Sequence, residues 1–454
     1  MSTIQSINPY TEQINGEFET LNKDQIDQII ETSHHAYLLW KETPSTYKKE
    51  LFLKLASELE QDIEDCARLE TIEMGMLNHV SKAWLQKTIQ LIRWFSLNFE
   101  EILQEKQYET DGLKVQEVYD SIWVIFWVAP WNFPFNQLLR AAVPNILAWN
   151  TQIYKHSSNV PLAALKIQEL FDRAWFPKWV YTNVFVSSSL SEHIIKNKYI
   201  AWVNLTWSEG AWSAVWALAG KYLKPSVLEL WWNDAFLVLE DYDIDKVVDL
   251  AISGRLKNWW QACNSSKRFL IPSRTYDAFL KRYKQAMESL VIGDPMNSNT
   301  QVQPLVTKKA LWEIQQQVLS AISTWAKLIT WWKSLERTWF FFAPTILADV
   351  TPEVTSFHEE IFGPVASVMK YTTIDEAIEL CNWTDFWLSA VVVWNDEKKA
   401  IEVWKKLDGG MIFINMIAWS RASLPFGWVK KSGYWKENWP DWLKAFTNKK
   451  VIVY

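Results

Sequence analysis

Residues 123–134 read WVIFWVAPWNFP, an apolar run that ends in a loop bracketed by two prolines. Short apolar runs of this kind alternate with helix-like stretches as far as residue 240; the runs lie at 152–155, 180–186, 200–205 and 227–230, and the helix-like stretches at 162–171 and 213–219. Alternation of strands and helices is typical of a doubly wound parallel sheet. A second series follows residue 234, so the sequence predicts an α/β fold with two such units.

The stretches on either side of these units have other patterns. Residues 24–40 and 46–74 place apolar side chains at three- and four-residue spacing, which predicts helices in this part of the chain. Residues 113–127 change to strand-like runs, and the chain closes with KVIVY at 450–454. We expect this last run to form a terminal strand that can pair with another subunit.

Length and charge exclude several classes of protein. A chain of 454 residues is too long for one core, which predicts two or three domains. The net charge of −6 provides no basic surface for nucleic acid. The polar N-terminus does not resemble a signal peptide, and no uninterrupted apolar run is long enough to span a membrane. We therefore expect neither a nucleic-acid partner nor a membrane partner.

The cysteines and histidines indicate a reducing compartment and no metal site. The three cysteines, Cys66, Cys263 and Cys381, are odd in number and widely spaced, which argues against a disulfide framework and against a zinc site. The six histidines show no metal-ligand spacing. These features predict a cytoplasmic enzyme that uses no metal.

Tryptophan is abundant where glycine is expected. The chain has 31 Trp and 12 Gly, whereas average usage of about 7% would give roughly 32 Gly. Many tryptophans lie at predicted helix ends and tight turns, where a positive φ or a close backbone approach excludes a Cβ; examples lie in residues 148–150, 174–177, 231–234 and 426–428. We infer a glycine-rich parent sequence in which most glycines have been replaced or misrecorded.

One cysteine and one glutamate have neighbours that suit catalysis. Cys263 lies in KNWWQACNSSKR, residues 257–268, among small and basic side chains. Glu229 lies inside the apolar strand VLEL, residues 227–230. A thiolate is a nucleophile, and a carboxylate whose pKa is raised can act as its base or activate a water.

Three polar features follow predicted strands. Asn132 lies in the proline-bracketed loop, and a fixed amide is what a developing oxyanion needs, although a capping Asn in a Pro-rich turn is the alternative. Lys155 ends a strand, where open α/β sheets bind ligands, although a solvated strand-end lysine is commoner. Residues 205–212, LTWSEGAW, run from strand into helix and would offer helix amides to a pyrophosphate if Gly stood at 207 and 212.

Taken together and in this order, the segments closely resemble the aldehyde dehydrogenase superfamily over nearly the whole chain. The specific marks are PWNFP at 130–134, LEL at 228–230, QAC at 261–263, EIFGP at 360–364 and PFG at 425–427. The resemblance implies two doubly wound α/β domains plus a small β oligomerisation flap, assembled as a homodimer or homotetramer. The implied parts are a dinucleotide-binding domain at 1–104 and 121–229, a catalytic domain at 230–420, and oligomerisation strands at 105–120 and 438–454.

The resemblance also implies the catalytic roles. Cys263 is expected to attack the aldehyde to give a thiohemiacetal, and Asn132 to stabilise the oxyanion together with the Cys263 backbone amide. Hydride transfer to the nicotinamide then leaves a thioester. Glu229 is expected to activate the water that hydrolyses this thioester, in keeping with a carboxylate whose pKa is raised by apolar neighbours.

The implied cofactor is NAD or NADP. The positions expected to bind it are Trp131, Lys155, Ser158, Ser208, Leu230, Glu360 and Phe362. By similarity, Lys155 holds the adenosine ribose, Ser208 receives the pyrophosphate, and Glu360 holds the nicotinamide ribose with Phe362 beside the nicotinamide. Ser158 stands where a carboxylate would bind the 2′-hydroxyl and repel a 2′-phosphate, so both cofactors remain open.

Two cations favour an aldehyde that carries a carboxylate at its far end. Arg140 lies in an apolar run and matches the arginine that succinate semialdehyde dehydrogenases use on this carboxylate, and Lys257 falls where those enzymes carry a second cation. The alternative is that Arg140 pairs with a structural carboxylate. The expected substrate is succinate semialdehyde, with glutarate semialdehyde or an aliphatic aldehyde as alternatives.

The tryptophans leave one further alternative open. Family members carry Gly at the equivalents of six tryptophans, namely Trp207, Trp212, Trp231, Trp232, Trp260 and Trp428. Trp207 would lie in the pyrophosphate site, which predicts poor cofactor binding. A catalytically impaired scaffold is therefore the alternative to an active enzyme.

Overall fold

The computed structural model describes residues 2–206, 209–229, 232–239, 242–256, 260–330, 340–434 and 436–454. The described chain forms two sheets of mainly parallel strands, with helices between the strands, and a smaller three-stranded antiparallel sheet. The α/β class that the alternation of strands and helices predicted is confirmed. No helix in the described part of the chain is both long and apolar enough to cross a membrane.

A hairpin, four helices and a second hairpin open the chain. Their bounds are β1 (Thr3–Ile7), β2 (Ile14–Glu19), α1 (Lys23–Trp40), α2 (Ser45–Gln61), α3 (Ile63–Met74), α4 (Asn78–Ile102), β3 (Lys106–Thr110) and β4 (Leu113–Ser121). The sequence predicted one helical stretch over 46–74, but the structure interrupts it at Asp62. The carboxylate of Asp62 forms salt bridges with Arg173 and, at 2.7 Å, with Lys166, so the break packs against a helix that lies about a hundred residues later in the chain.

The first parallel sheet contains the centre of the predicted cofactor site. Its strands and helices are β5 (Val124–Val128), α5 (Pro134–Leu147), β6 (Thr151–Lys155), α6 (Pro161–Arg173), β7 (Tyr181–Asn183), a 3-10 turn (Ser188–Leu190), α7 (Ser191–Ile195), β8 (Ile200–Thr206), α8 (Glu209–Lys221) and β9 (Ser226–Glu229). The strand order is β9-β8-β5-β6-β7. Because the chain winds from β5 in one direction and later returns to its other side, the topological switch point lies between β5 and β8, where open α/β sheets bind ligands.

The second sheet has the strand order β12-β13-β14-β11-β10-β16-β17, and only β12 among these pairs antiparallel. The elements of this region are β10 (Ala235–Val238), α9 (Ile244–Arg255), β11 (Arg268–Pro272), α10 (Tyr276–Glu288), α11 (Lys308–Ser323), β12 (Lys327–Leu328), β13 (Thr345–Ala348), α12 (Thr355–His358), β14 (Val365–Tyr371), α13 (Ile374–Asn382), β15 (Phe386–Trp387), β16 (Ser389–Val393), α14 (Glu397–Trp404) and β17 (Met411–Ile414). Strand β16 is fully buried, as its sequence SAVVV requires of a strand covered on both faces.

The C-terminal segment returns to the first half of the chain. Its elements are β18 (Phe426–Gly427), β19 (Val429–Lys430), β20 (Gly433–Tyr434), β21 (Lys436–Glu437), α15 (Trp439–Ala445) and β22 (Thr447–Val453). Strand β20 joins the first sheet beside β9, and β22 pairs with β4 to complete the three-stranded sheet. The expected terminal strand is present, but its described partner is β4 of the same chain. The strand begins only at Thr447. Residues 439–445, which were expected to belong to the oligomerisation strands, form helix α15.

Tryptophan occupies backbone positions that favour glycine. Seven of the fourteen described non-glycine residues with positive φ are tryptophans, namely Trp123, Trp149, Trp175, Trp179, Trp260, Trp325 and Trp439. The left-handed conformation costs an L-residue about 1–2 kcal/mol. The summed cost is therefore comparable to the whole stability of about 5–15 kcal/mol that a folded domain has.

Three helices end in the same glycine-dependent motif with tryptophan at its left-handed position. Trp149, Trp175 and Trp325 follow α5, α6 and α11 at φ 63°, 66° and 82°. In each case the tryptophan N–H and the next N–H bond back to carbonyls of the last helical turn, at 3.0 to 3.4 Å, which is the Schellman arrangement. Helix α3 ends instead with a true glycine, Gly75 at φ 79°.

We expect Trp325→Gly to raise the free energy of unfolding by about 1–2 kcal/mol, because glycine adopts positive φ without a Cβ penalty. The Trp325 side chain is 87% exposed, so its removal sacrifices little packing. Denaturant unfolding followed by circular dichroism measures the change.

The matched control is Trp312→Gly in the interior of α11, where Trp312 is 59% exposed. Glycine there should lower stability by about 1 kcal/mol, since helix interiors disfavour it. Intact mass spectrometry comes first: a protein lighter than 53.4 kDa by whole tryptophan-to-glycine differences already carries the glycines. Equal changes in the free energy of unfolding for the two substitutions would show that position 325 does not favour glycine.

Candidate active site

The site lies where the two parallel sheets meet. Residues 129–133 follow β5 at the carboxyl edge of the first sheet, and residues 260–267 precede β11 at the amino edge of the second. The Asn132 side-chain amide donates to the Gln261 carbonyl at 3.0 Å, across 129 positions of sequence. Asn132 is buried and Gln261 fully so. The amide predicted to stabilise an oxyanion is therefore held two residues from Cys263.

Cys263 lies in a turn and is partly buried. It packs at the edge of the core that surrounds α5, and its described neighbours Ala262, Asn264 and Ser265 are buried. The Gln261 side-chain oxygen accepts the Val306 N–H at 3.1 Å, and the Ser265 hydroxyl donates to the Ala262 carbonyl at 2.8 Å. None of the described cysteines forms a disulfide. The turn is thus fixed on both sides of Cys263, which is itself only partly buried.

The predicted cofactor residues Trp131 and Phe362 come together. Their rings meet edge to face, with centroids 5.8 Å apart and an interplanar angle of 87°. Trp131 follows β5 and Phe362 precedes β14, so the contact again joins the two sheets. Edge-to-face pairs are a favoured aromatic geometry. The structure therefore brings together two of the positions predicted to bind the cofactor.

Glu360 is a buried carboxylate with a cationic partner. Its side chain lies 3.0 Å from the Lys267 ammonium, and both side chains are less than a tenth exposed. The Trp232 backbone N–H also donates to it. Burial raises the pKa of Glu360, and the positive charge of Lys267 opposes that rise. A paired, buried carboxylate of this kind can accept hydrogen bonds from ribose hydroxyls.

Lys155 and Ser158 lie at the same edge of the first sheet as Asn132. Lys155 is the last residue of β6 and is paired in register with Val128 of β5, while Ser158 is exposed in the turn that follows. Burial lowers the pKa of Lys155. These two positions flank the switch-point crevice from the β6 side.

Glu229 is the last residue of β9, in register with Thr206 of β8. Its backbone therefore ends at the carboxyl edge that also carries Asn132 and Lys155. Three other predicted site residues, Ser208, Leu230 and Lys257, lie outside the described residues.

Arg140 has an internal carboxylate partner. Its guanidinium lies 2.5 Å from Glu437 of β21 and donates to the Gln137 side-chain oxygen at 2.5 Å. Both charged side chains are at least 95% buried, and the guanidinium lies over the Phe426 ring at 4.9 Å. The structure thus shows the pairing that the sequence left open as the alternative to substrate binding.

Sequence reasoning missed three groups that shape the site. Gln261 anchors Asn132, Lys267 pairs with Glu360, and Glu437 neutralises Arg140. Lys267 lies among the basic residues after Cys263, which was a weak signal. The other two are recognisable only from contacts between distant segments.

Comparisons with known proteins agree with this geometry. The aldehyde dehydrogenase family model matches residues 1–452. The NADP+ succinate-semialdehyde dehydrogenase of Deinococcus radiodurans is 34% identical over 447 residues, covering 98% of this chain and 94% of that protein. NADP+ succinate-semialdehyde dehydrogenase 1 of Mycobacterium tuberculosis is 33% identical over 452 residues, covering 99% of each.

A solved structure gives the same result. The succinic semialdehyde dehydrogenase from Streptococcus pyogenes, in complex with NADP+, superposes with a TM-score of 0.96 at 30% identity and covers 99% of each chain. The chain therefore belongs to the aldehyde dehydrogenase family and is an NAD(P)-dependent oxidoreductase that acts on aldehydes.

Proposed function

We propose that this enzyme oxidises succinate semialdehyde to succinate with NADP+ as the preferred cofactor. The bond between Asn132 and the Gln261 carbonyl carries the chemical part of the proposal, because it brings an oxyanion donor to the nucleophile turn. The substrate and the cofactor preference are supported by the relatives at 33–34% identity, which are NADP+ succinate-semialdehyde dehydrogenases.

The proposed chemistry assigns one task to each residue. The Cys263 thiolate attacks the aldehyde carbon, and Asn132 with the Cys263 backbone N–H stabilises the oxyanion of the thiohemiacetal. NADP+, when bound, supplies the hydride acceptor. Glu229 then takes a proton from the water that attacks the thioester on Cys263, which releases the acid and restores the thiol.

The residues at the sheet junction fit a dinucleotide. Lys155 offers an ammonium at the switch-point crevice, Glu360 offers a buried carboxylate, and the Trp131–Phe362 pair offers an apolar surface beside the nucleophile turn. Lys155 and Glu360 would hold the two riboses, and Phe362 would pack against the nicotinamide. This arrangement orients the cofactor toward Cys263.

The far carboxylate of the substrate would be held by Arg140 together with Lys257. A guanidinium binds carboxylates through charge-assisted hydrogen bonds, and Arg140 already holds that of Glu437. Glu437 would then be a structural counterion that keeps the buried guanidinium in place between substrates.

The test replaces both members of the buried pair, because removing one alone would leave an uncompensated charge. We expect Arg140→Met/Glu437→Gln to lower kcat/KM for succinate semialdehyde by about 100-fold, the loss of a charge-assisted bond, and to change that for butanal much less. Steady-state kinetics on both aldehydes measure the ratio. Equal losses would show that Arg140 is structural and that the site does not select a carboxylate.

The cofactor preference has its own test at Ser158. A carboxylate there would bind the 2′-hydroxyl of NAD+ and repel the 2′-phosphate of NADP+. We expect Ser158→Glu to lower kcat/KM for NADP+ by about 10- to 100-fold without a matching loss for NAD+. Ser158→Ala is the neutral control and should leave the ratio unchanged. A variant that keeps its NADP+ efficiency would remove Ser158 from the cofactor site.

We also propose a homo-oligomer that forms through the three-stranded sheet. Strand β22 is an outer strand in the order β22-β4-β3, so one of its edges is open for pairing. Val451 and Val453 of this strand, and Tyr454 directly after it, are more than half exposed. An open edge with apolar side chains favours the addition of a strand from a second copy.

Val451→Lys/Val453→Lys should shift the protein to a monomer, because charges along an open edge oppose strand addition. Light scattering after gel filtration measures the molar mass. Val291→Lys, at a residue that is similarly exposed outside this sheet, is the control and should keep the oligomer. An unchanged mass in the double variant would exclude this interface.

The three described cysteines without disulfides fit a reducing compartment, and we propose that the enzyme acts in the cytoplasm.

A further inference from the structure

Lys267 is a buried cation at the end of the nucleophile turn. Its side chain is 4% exposed, and its backbone is fixed on both sides: the N–H donates to the Asp234 carbonyl at 2.9 Å, and the carbonyl accepts the Ser367 N–H at 3.0 Å. A lysine is almost never fully buried unless it is paired. The position of its ammonium is therefore set by its partners, and these partners indicate its role.

The ammonium bridges two parts of the site. It pairs with the Glu360 carboxylate at 3.0 Å and donates to the carbonyl of Cys263. Glu360 precedes β14 and Cys263 precedes β11, and these two strands are neighbours in the second sheet. One side chain thus joins the carboxylate proposed for the nicotinamide ribose to the backbone of the nucleophile.

The other charged groups around Glu360 are engaged elsewhere. The Asp234 carboxylate accepts the Leu388 N–H at 3.0 Å and the Ser389 hydroxyl at 2.6 Å. The Arg255 guanidinium donates to the carbonyls of Ile361, Gly363 and Val365. Arg255 therefore fixes the backbone of the loop that carries Glu360, whereas Lys267 contacts the carboxylate itself.

We propose that Lys267 is a positioning residue for the oxidation. It holds the Glu360 carboxylate ionised and oriented toward the nicotinamide ribose while it fixes the carbonyl of Cys263. The cofactor and the nucleophile thereby keep one relative geometry during hydride transfer. This inference rests on the proposed function, since it assigns the ribose to Glu360.

Lys267→Met removes the charge and the donors while it keeps an unbranched side chain. Isothermal titration of the full chain with NADP+ should show an affinity about 10- to 100-fold weaker. This is the size of effect expected if Glu360, without Lys267, no longer makes its charge-assisted contact with the ribose. Lys267→Arg should restore most of it. Lys166→Met is the matched control: Lys166 is also largely buried and paired, with Asp62 and Glu169, and its loss should leave NADP+ affinity unchanged.

The pH dependence separates a positioning role from a structural one. Burial already raises the pKa of Glu360 and Asp234 adds to that rise, so without Lys267 the Trp232 backbone N–H and Arg255 are left to oppose it. A protonated Glu360 loses its acceptor charge, so the NADP+ affinity of Lys267→Met should fall further as the pH decreases. The parent and Lys166→Met should change less. Unchanged affinity and a flat pH profile in Lys267→Met would overturn the proposal.

Alkylation of Cys263 by iodoacetamide without cofactor tests the second contact independently. The carbonyl of Cys263 loses its donor in Lys267→Met, so we expect an altered alkylation rate in this variant but not in Lys166→Met. A parent chain that binds NADP+ but does not oxidise succinate semialdehyde would refute the proposed substrate and leave the Lys267 measurements intact. If Lys267→Met has the same alkylation rate and NADP+ affinity as the parent, the positioning role of Lys267 is refuted and the proposed substrate is unaffected.

Discussion

The hydrogen bond between the Asn132 amide and the Gln261 carbonyl is the constraint on which the site depends. It joins the carboxyl edge of one parallel sheet to the amino edge of the other, and each edge supplies only part of the chemistry. The first edge offers Asn132, Lys155 and the end of the Glu229 strand. The second offers Cys263 and Glu360. Because the bonded groups are buried, breaking this bond would leave buried polar atoms without a partner, which opposes movement of Asn132 relative to the turn that carries Cys263.

Two buried charge pairs hold the elements on either side of this junction. Lys267 with Glu360, and Arg140 with Glu437, each bring together residues from segments that are far apart in the sequence. A buried pair adds little net stability, but the loss of one partner is costly, so such pairs fix geometry more than they raise stability. In this enzyme both pairs lie beside the proposed positions of the substrate or the cofactor, where fixed geometry has the greatest effect on rate.

Several tryptophans occupy backbone positions that favour glycine. At Trp149, Trp175 and Trp325 the helix ends follow the Schellman pattern although an indole occupies the left-handed position. The hydrogen bonds of the helix ends and the packing of the following strands determine this backbone, so the local preference of the side chain is overridden at an energetic cost. Gly75 adopts the same left-handed φ at the end of α3 without that cost.

The sequence by itself determined the α/β class and the positions of most strands and helices, and it predicted Cys263 as the nucleophile, because periodicity and ordered motifs are local properties of the chain. It also identified Asn132, Trp131, Glu360 and Phe362 as site positions, and the structure brings these four to the junction of the sheets. Only the tertiary structure gave Arg140 its partner Glu437, broke the predicted helix at Asp62, and paired the terminal strand with β4. These outcomes depend on contacts between residues separated by tens to hundreds of positions, and no local pattern encodes which distant charge or strand edge will be adjacent after folding.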